Sequence, residues 1–290
     1  MFRGGVGPAN LVAAHGLASG FMWREVEALH AVVYFDPAAA TAYSEIGLPG
    51  WWAGYFASRA AALGTIGAAP VAAAFHGFAP AMVARALPSA WQLATPAQVL
   101  DARLGLADGA LRRALAHVAP ALDLGAEADL AWALLHVLDH GGRVLGAAHA
   151  AVARDPRPHL ALWQALTALR EWRGDGHVAA LLVAGIDGCE ANVLAQAAGA
   201  VPDRQRGVRG WTEGQWAAAG ERLAERGWLD RDGVLTAEGT VARDRVQEVT
   251  DRLSAVPGAD ELRAALAPLA QAVVASGAVP YPNPTGVPAP

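Results

Sequence analysis

A mainly α-helical chain of two pseudo-repeated halves, the second a winged helix-turn-helix with a small β-hairpin wing, is the fold class predicted here. Three observations point to it. Trp52 and Arg59 are matched by Trp163 and Arg170 at an offset of 111, Gly64 by Gly174 at 110, Trp23 by Trp132 at 109, and Val71-Ala72-Ala73 by Val178-Ala179-Ala180 at 107. Near-constant spacing of unlike residue types is the trace of a duplication, and in an alanine-rich chain the Trp, Arg and Gly matches carry the weight. Apolar residues recur at three- and four-residue steps through most of the chain, the helical period. Between 211 and 252 a capped helix, a hairpin turn and a second capped helix follow one another, the winged-helix order. The 290 residues thus divide into an N-terminal helical half over 1–120, a degenerate winged-helix-like repeat, a C-terminal winged-helix half over 121–277, and a proline-rich tail over 278–290.

The elements follow in order. Leu17, Phe21, Val26, Leu29 and Val33 mark an amphipathic helix over 10–33, ended by Asp36-Pro37. A short alanine-rich helix runs from Pro37 to Glu45, and a helix apolar on nearly every side from Trp51 to Leu63 is expected to be buried. Gly64, Gly67 and Pro70 break it before helices over 71–78 and 80–87. Thr95-Pro96 reads as N-cap and N1 of a helix reaching His117. Past Pro120 to Gly125, helices are expected over 126–139, over a shorter segment, and over 159–173; Gly174 then terminates that helix and Asp175 caps the next, from His177 to Ala184. Another helix covers Cys189 to Ala198. Thr212 caps a helix over 213–226, Trp228-Leu229 and Val234-Leu235 flank the Asp232-Gly233 turn as strands, and Thr236 caps a helix over 237–253. The tail from Pro280, with five prolines in eleven residues, is expected to be an extended strap.

Composition narrows the function classes. The net charge is −5 and every basic residue is arginine, so non-specific nucleic-acid binding starts disfavoured unless arginines cluster on one face. Cys189 is the only cysteine, which excludes an intramolecular disulfide and a cysteine-built zinc site; a reducing cytoplasm is the expected compartment. Mean hydropathy is +0.25, but alanine supplies the excess and no membrane span or export signal is read. Ten tryptophans against four tyrosines and six phenylalanines are the outlier, since indoles suit both cores and pockets for flat ligands.

The segments Leu169-Arg170-Glu171-Trp172-Arg173-Gly174-Asp175-Gly176-His177-Val178-Ala179-Ala180-Leu181, Leu29 to Phe35 (LHAVVYF) and Gly50 to Phe56 (GWWAGYF) resemble a large actinobacterial family of helix-turn-helix proteins over nearly the whole chain. The stretch from Trp211 to Arg252 is similar to MarR-type winged-helix regulators. The resemblance implies the fold and leaves the activity open. Trp172 stands where that family often has histidine, so no metal role is expected there.

The densest polar cluster is Arg170, Glu171, Arg173, Asp175 and His177, with Trp163, Thr167 and Arg170 on one helix face. A guanidinium among apolar neighbours needs a carboxylate or an anionic ligand, and Glu190 is the expected carboxylate for Arg170. Arg59, the repeat counterpart of Arg170, places two arginines near the seam of the halves. Each pairs within its own half, or both face an acidic ligand. His30 and His76 sit in aromatic stretches as core or pocket groups, and of the adjacent Trp51 and Trp52, beside Tyr55, one must leave the core. His136 and His140 lie four apart, but no zincin Glu follows His136, so no metal is expected. No nucleophile elbow, phosphate loop or dinucleotide fingerprint is present.

The leading expectation is a non-enzymatic small-molecule-binding protein whose pocket between the halves is lined by His30, Trp51, Trp52, Tyr55, Arg59, His76, Trp163, Arg170, Arg173 and His177, for a flat or acidic ligand. The alternative is a MarR-like DNA-binding regulator using Arg204, Arg206, Arg209, Arg222 and Arg231, although Glu213, Glu221 and Glu225 crowd its recognition helix. An enzyme using His177 or His30 as acid or base stands third. No catalytic set, cofactor, metal or membrane partner is expected, and the chain is read as a monomeric pseudo-dimer or a homodimer.

Overall fold

A helix whose residues are apolar on every side can only be satisfied at the centre of a fold, and the segment His159 to Leu169 is buried at each of its positions. In the computed structural model, which describes residues 19–290, this segment opens a 26-residue helix around which the rest is arranged. The described residues before it form α1 (Ser19–His30), α2 (Val32–Phe35), α3 (Ala39–Glu45), α4 (Gly50–Ala60, extended by a 3-10 turn), α5 (Ala68–Phe75), α6 (Pro80–Ala84), α7 (Ala90–Leu93), α8 (Pro96–Ala114), α9 (Gly125–Val137) and α10 (Val144–Ala150). The central helix is α11 (Pro158–Val183); α12 (Gly188–Ala197), α13 (Gln205–Val208), α14 (Glu213–Glu225), α15 (Ala237–Leu253) and α16 (Ala259–Ser276) follow. The part of the first expected helix before Ser19, with the glycine-rich start of the chain, lies outside the described residues.

Two cores meet along α11. The larger gathers α1 to α10, the N-terminal part of α11 and α16, with Phe56, Leu160, Leu166 and Leu266 fully enclosed. The smaller joins Leu181 near the end of α11 to Ile186, Leu194 of α12, Leu223 of α14, Leu229 and Val246 of α15. The expected boundary near residue 120 falls between α8 and α9, and apolar packing runs across it. Trp163 is buried and donates its indole N–H to the His30 carbonyl at 3.2 Å, whereas Trp52 on α4 is 36% exposed.

Three expectations need correction. The β-hairpin wing is absent: among the described residues there is no strand, and the Trp228–Leu235 turn carries one isolated bridge between Leu229 and Leu235. The Asp230 carboxylate accepts the Asp232 and Val234 amides at 2.9 Å each, which curls the loop tightly. Val234 stays 57% exposed, so two residues a side with no third strand leave nothing to bury. The fold is mainly α without the wing.

Nor does α11 break at Gly174-Asp175-Gly176. Two mid-helix glycines cost about 1 kcal/mol each against alanine, and the packing of α10 offsets that. The Asp175 carboxylate accepts the Gly146 amide in the first turn of α10 at 2.9 Å, acting across to another helix rather than capping its own. Arg143 lies against Gly176, 4.4 Å over the Trp172 ring, and donates to the Trp172 carbonyl at 3.0 Å and the Leu253 carbonyl at 2.7 Å. The third correction is α16, unread in sequence although Leu262, Leu266, Leu269 and Val273 give it an apolar face against α1 and α9.

At Gly146 the backbones of α10 and α11 approach closely, since a Cβ there would stand 2.6 Å from the Trp172 Cα. Gly146→Ala is therefore expected to destabilise by about 1–3 kcal/mol. Gly105→Ala in α8, where a Cβ would meet nothing within 4 Å, is expected to stabilise by about 0.5–1 kcal/mol. Urea unfolding of the two variants checks the pair.

Candidate functional site

A cavity of about 960 Å³ lies between the larger core and the α12–α15 unit. Its walls come from α1, α4, the turn after α5, the C-terminal part of α11, α12, α13, α15 and the tail after Tyr281. Six arginines line it, Arg24, Arg59, Arg170, Arg173, Arg209 and Arg243, against four carboxylates, Glu27, Glu171, Asp244 and Asp251. A chain of net negative charge thus encloses a positive chamber.

Its floor is a buried ion network. Arg59 grips Glu171 with two bonds, Nε to Oε1 at 3.0 Å and Nη2 to Oε2 at 2.7 Å. Arg170 adds a third through Nη1 to Oε2 at 2.9 Å, and its Nε reaches Glu27 Oε2 at 3.1 Å. The Arg59 guanidinium also lies 4.1 Å over the Phe75 ring. Burial alone would raise the Glu171 pKa; the two arginines overcome it and hold the carboxyl well below its usual range. Burial likewise opposes the charge on Arg59, and Glu171 overrides it, so that the arginine pKa rises.

Above the floor the polar groups are incompletely paired. Arg173 stands 3.6 Å from Asp251, and its Nε has no partner. Arg209 meets no carboxylate among the described residues: it lies 4.4 Å over Phe78, donates Nη2 to the Pro284 carbonyl of the tail, and leaves its Nε unbonded. Burial lowers the pKa of both guanidinium groups, and Arg59 and Arg170 push that of Arg209 further down. The Trp23 indole N–H, Glu27 Oε1, Gln205 Oε1 and the Tyr281 hydroxyl are also buried without partners. His177 bonds Thr250 at 2.9 Å and is pushed down to about 4 by burial, so its ring is neutral at pH 7.

Of the residues expected around a pocket, Arg59, His76, Arg170, Arg173 and His177 line the cavity. His30, Trp51, Trp52, Tyr55 and Trp163 do not. His30 is fully enclosed in a relay: Arg103 donates to the Tyr34 hydroxyl at 3.0 Å, Tyr34 bonds His30 Nε2 at 2.9 Å, and His30 Nδ1 bonds Thr167 at 3.0 Å. With both nitrogens engaged it is a core histidine, and its pKa is well below the ordinary value through burial. Trp51 and Trp52 pack edge to face at 4.5 Å in an aromatic cluster with Tyr55 and Phe56. His140 lies beyond the end of α9, its ring on the Leu135 carbonyl at 3.4 Å rather than beside His136. No metal-binding cluster exists among the described residues.

Glu190 does not serve Arg170. It accepts from Arg222 Nε at 2.8 Å, and Asp187 takes the Arg222 Nη2 at 2.5 Å. Sequence reasoning passed over Glu27, Gln205 and Tyr281, named Glu171 in the polar cluster without its bonds to Arg59 and Arg170, and placed Arg209 only among DNA contacts. The available signal was Glu171 itself, a carboxylate next to Arg170 at the end of the largely apolar run Leu160 to Leu169.

The opposite face of the same unit presents α14. Thr212 and Gln215 form a reciprocal capping box at its start, and α14 packs on α12 across the α13 connection. Arg222 and Arg226 are exposed but bonded within the protein, Arg226 to the Ala184 and Gly185 carbonyls at 2.8 and 2.9 Å. Glu213, Glu221 and Glu225 remain exposed, as do Arg204 and Arg206 before the helix and Arg231 after it.

A family profile described as a helix-turn-helix family matches residues 19–280. No curated protein and no solved structure matches the chain. Among the described residues no single helix is long and apolar enough to cross a membrane.

Buried histidines, His30, His149 and His177, make stability depend on pH. His149, bonded to the Arg59 carbonyl at 3.2 Å, and His177 are both pushed down to about 4 by burial. The unfolded chain takes up these protons first, so the stability from keeping the rings neutral is complete above about pH 6.5 and is lost as pH falls toward 4. Asp175, raised to about 6 by burial, has the opposite sign, and its folded form gains below pH 6. Three imidazoles, His30 included, outweigh the Asp175 carboxyl. The urea midpoint is expected to fall between pH 7.5 and 5.0, and to fall less in His149→Gln, by an amount worth about 2 kcal/mol at pH 5.

Proposed function

The chain belongs to this helix-turn-helix family, and from that premise we propose that it is a DNA-binding regulator that grips the phosphate backbone with the arginines flanking α14. The observation that carries the reading is the placement of α12 and α14 on a small core of their own, with the outer side of α14 in solvent and Arg204, Arg206 and Arg231 exposed at its two ends. Gly214, Ala217 and Ala224 on α14 are exposed and short, which allows a backbone to come close. The role proposed for MarR-type likeness is kept; its wing is not.

Charge sets the character of the contact. Residues 185–253 hold twelve carboxylates against nine arginines, and Arg222 of α14 and Arg226 just after it already bond to acceptors of the protein itself. Arginine readout of guanine edges by α14 is therefore not part of the reading. The binding expected is modest, carried by phosphate contacts, and steep in salt.

A second reading is favoured by the same acidic helix: a small-molecule-binding protein in which the helix-turn-helix pair serves only as one wall of the cavity. Gel shift with the gene's own upstream DNA separates the two. The DNA reading expects a complex at low salt that dissolves by about 0.2 M, and a triple Arg204→Ala, Arg206→Ala, Arg231→Ala variant whose log–log salt slope is smaller by about three. Absence of any complex at about 50 mM salt overturns it and leaves the second reading.

A further inference from the structure

We propose that the cavity between α11, α13 and the C-terminal tail binds a small organic anion with an apolar body, its acid group held by Arg173 and Arg209. The inference does not rest on DNA binding. Four lines of observation converge on it.

Size comes first: about 960 Å³ is at the upper end of the volumes that hold small organic ligands. Charge is second. Arg59, Arg170, Glu27 and Glu171 neutralise one another, as the distances above show, so the surplus positive charge among the lining residues belongs to the groups above the floor. Of these, Arg173 has one distant carboxylate and Arg209 has none among the described residues. A half-buried guanidinium without a close anion is a costly arrangement, and an incoming acid group relieves it.

Third, residues lining the cavity carry unpaired polar atoms, the acceptor Gln205 Oε1 among several donors. Trp23 and Gln205 are 3% and 2% exposed, yet the Trp23 N–H and the Gln205 Oε1 have no partner, and the Arg173 and Arg209 Nε and the Tyr281 hydroxyl are in the same state. Buried polar groups are almost always bonded; a cluster of exceptions around one cavity marks a place shaped for a polar guest. Glu27 Oε1, also unpaired, offers an acceptor for a hydroxyl or amino group on the same ligand. Fourth, the remaining walls are apolar: Phe75, Phe78, Leu181, Ile186, Leu194 and Val201 line the cavity, and they suit a hydrocarbon or aromatic body rather than a bare inorganic ion.

The tail supplies the last wall. Pro284 places its carbonyl on both Arg209 Nη2 and Gln205 Nε2. A neutral carbonyl is a weaker partner for a guanidinium than an anionic oxygen. Binding the acid group exchanges the one for the other without needing a new cation.

The test uses the full chain with anilinonaphthalene sulfonate, an apolar-bodied anionic fluorophore, as probe. Phenylacetate, phenyl phosphate and the neutral phenylacetamide serve as competitors. One saturable class of probe site is expected, displaced by the two anions and not by the amide; the stronger of the two anions identifies carboxylate or phosphate as the preferred head group. Arg209→Met and Arg173→Met are each expected to weaken the winning anion by about tenfold or more, with Arg209→Lys in between. Circular dichroism and the urea midpoint establish that the variants fold; where Arg209→Met does not, Arg173→Met and Tyr281→Phe carry the test. Competition by the amide equal to that of the anions, unchanged affinity in both methionine variants, or no saturable site overturns the proposal. The gel shift is read separately, so failure here and failure of DNA binding are distinct results.

Discussion

Glu171 is the carboxylate on which the molecule turns. A charge removed from water is held only if it is fully bonded, and Glu171 meets that condition through both oxygens: two bonds from Arg59 of α4 and one from Arg170 of its own helix. Glu27 of α1 then balances the second cation. Three helices from distant parts of the sequence are bound by one charge-neutral cluster whose members are each unfavourable alone. Because Arg170 is pinned from both ends, the next turn of α11 is oriented as well, and Arg173 and His177 face the cavity.

α11 carries this order from one core to the other. Its N-terminal part is enclosed by the larger core and its end by the α12–α15 unit. Continuity through Gly174-Asp175-Gly176 is essential to that role: the Arg143 side chain, just ahead of α10, occupies the space a larger residue at 176 would fill, and the Asp175 carboxylate accepts the Gly146 amide. The cavity sits where the two cores diverge, so any occupant touches the body, the helix-turn-helix pair and the tail together.

Much of the helical content was readable in advance because its signals are local. Thr95 with Gln98 and Thr212 with Gln215 announce two helix starts, and the apolar run before Arg170 announces burial. The errors arose where a distant partner decides the outcome. Gly174 and Asp175 form a plausible stop signal until α10 is placed against them. Trp228 to Leu235 reads as a hairpin until the Asp230 side chain is seen to take the amides. At the site, the paired arginines at matched positions were legible, and their common carboxylate was not, since Glu171 is adjacent to Arg170 in sequence and its bond to Arg59 spans more than a hundred residues. His30 shows the reverse: an aromatic setting suggested a pocket, and the relay from Arg103 to Thr167 makes it core.

A double-mutant cycle in urea between Arg59→Met and Glu171→Gln measures the bond at the centre of this arrangement. Both side chains are buried and joined at 2.7 Å, so each single change strands a charge or donor, and the second change relieves part of the first. A coupling of about 3 kcal/mol or more is expected. Additivity within about 0.5 kcal/mol would mean that the two groups act independently, and that α4 and α11 are held together by apolar packing alone.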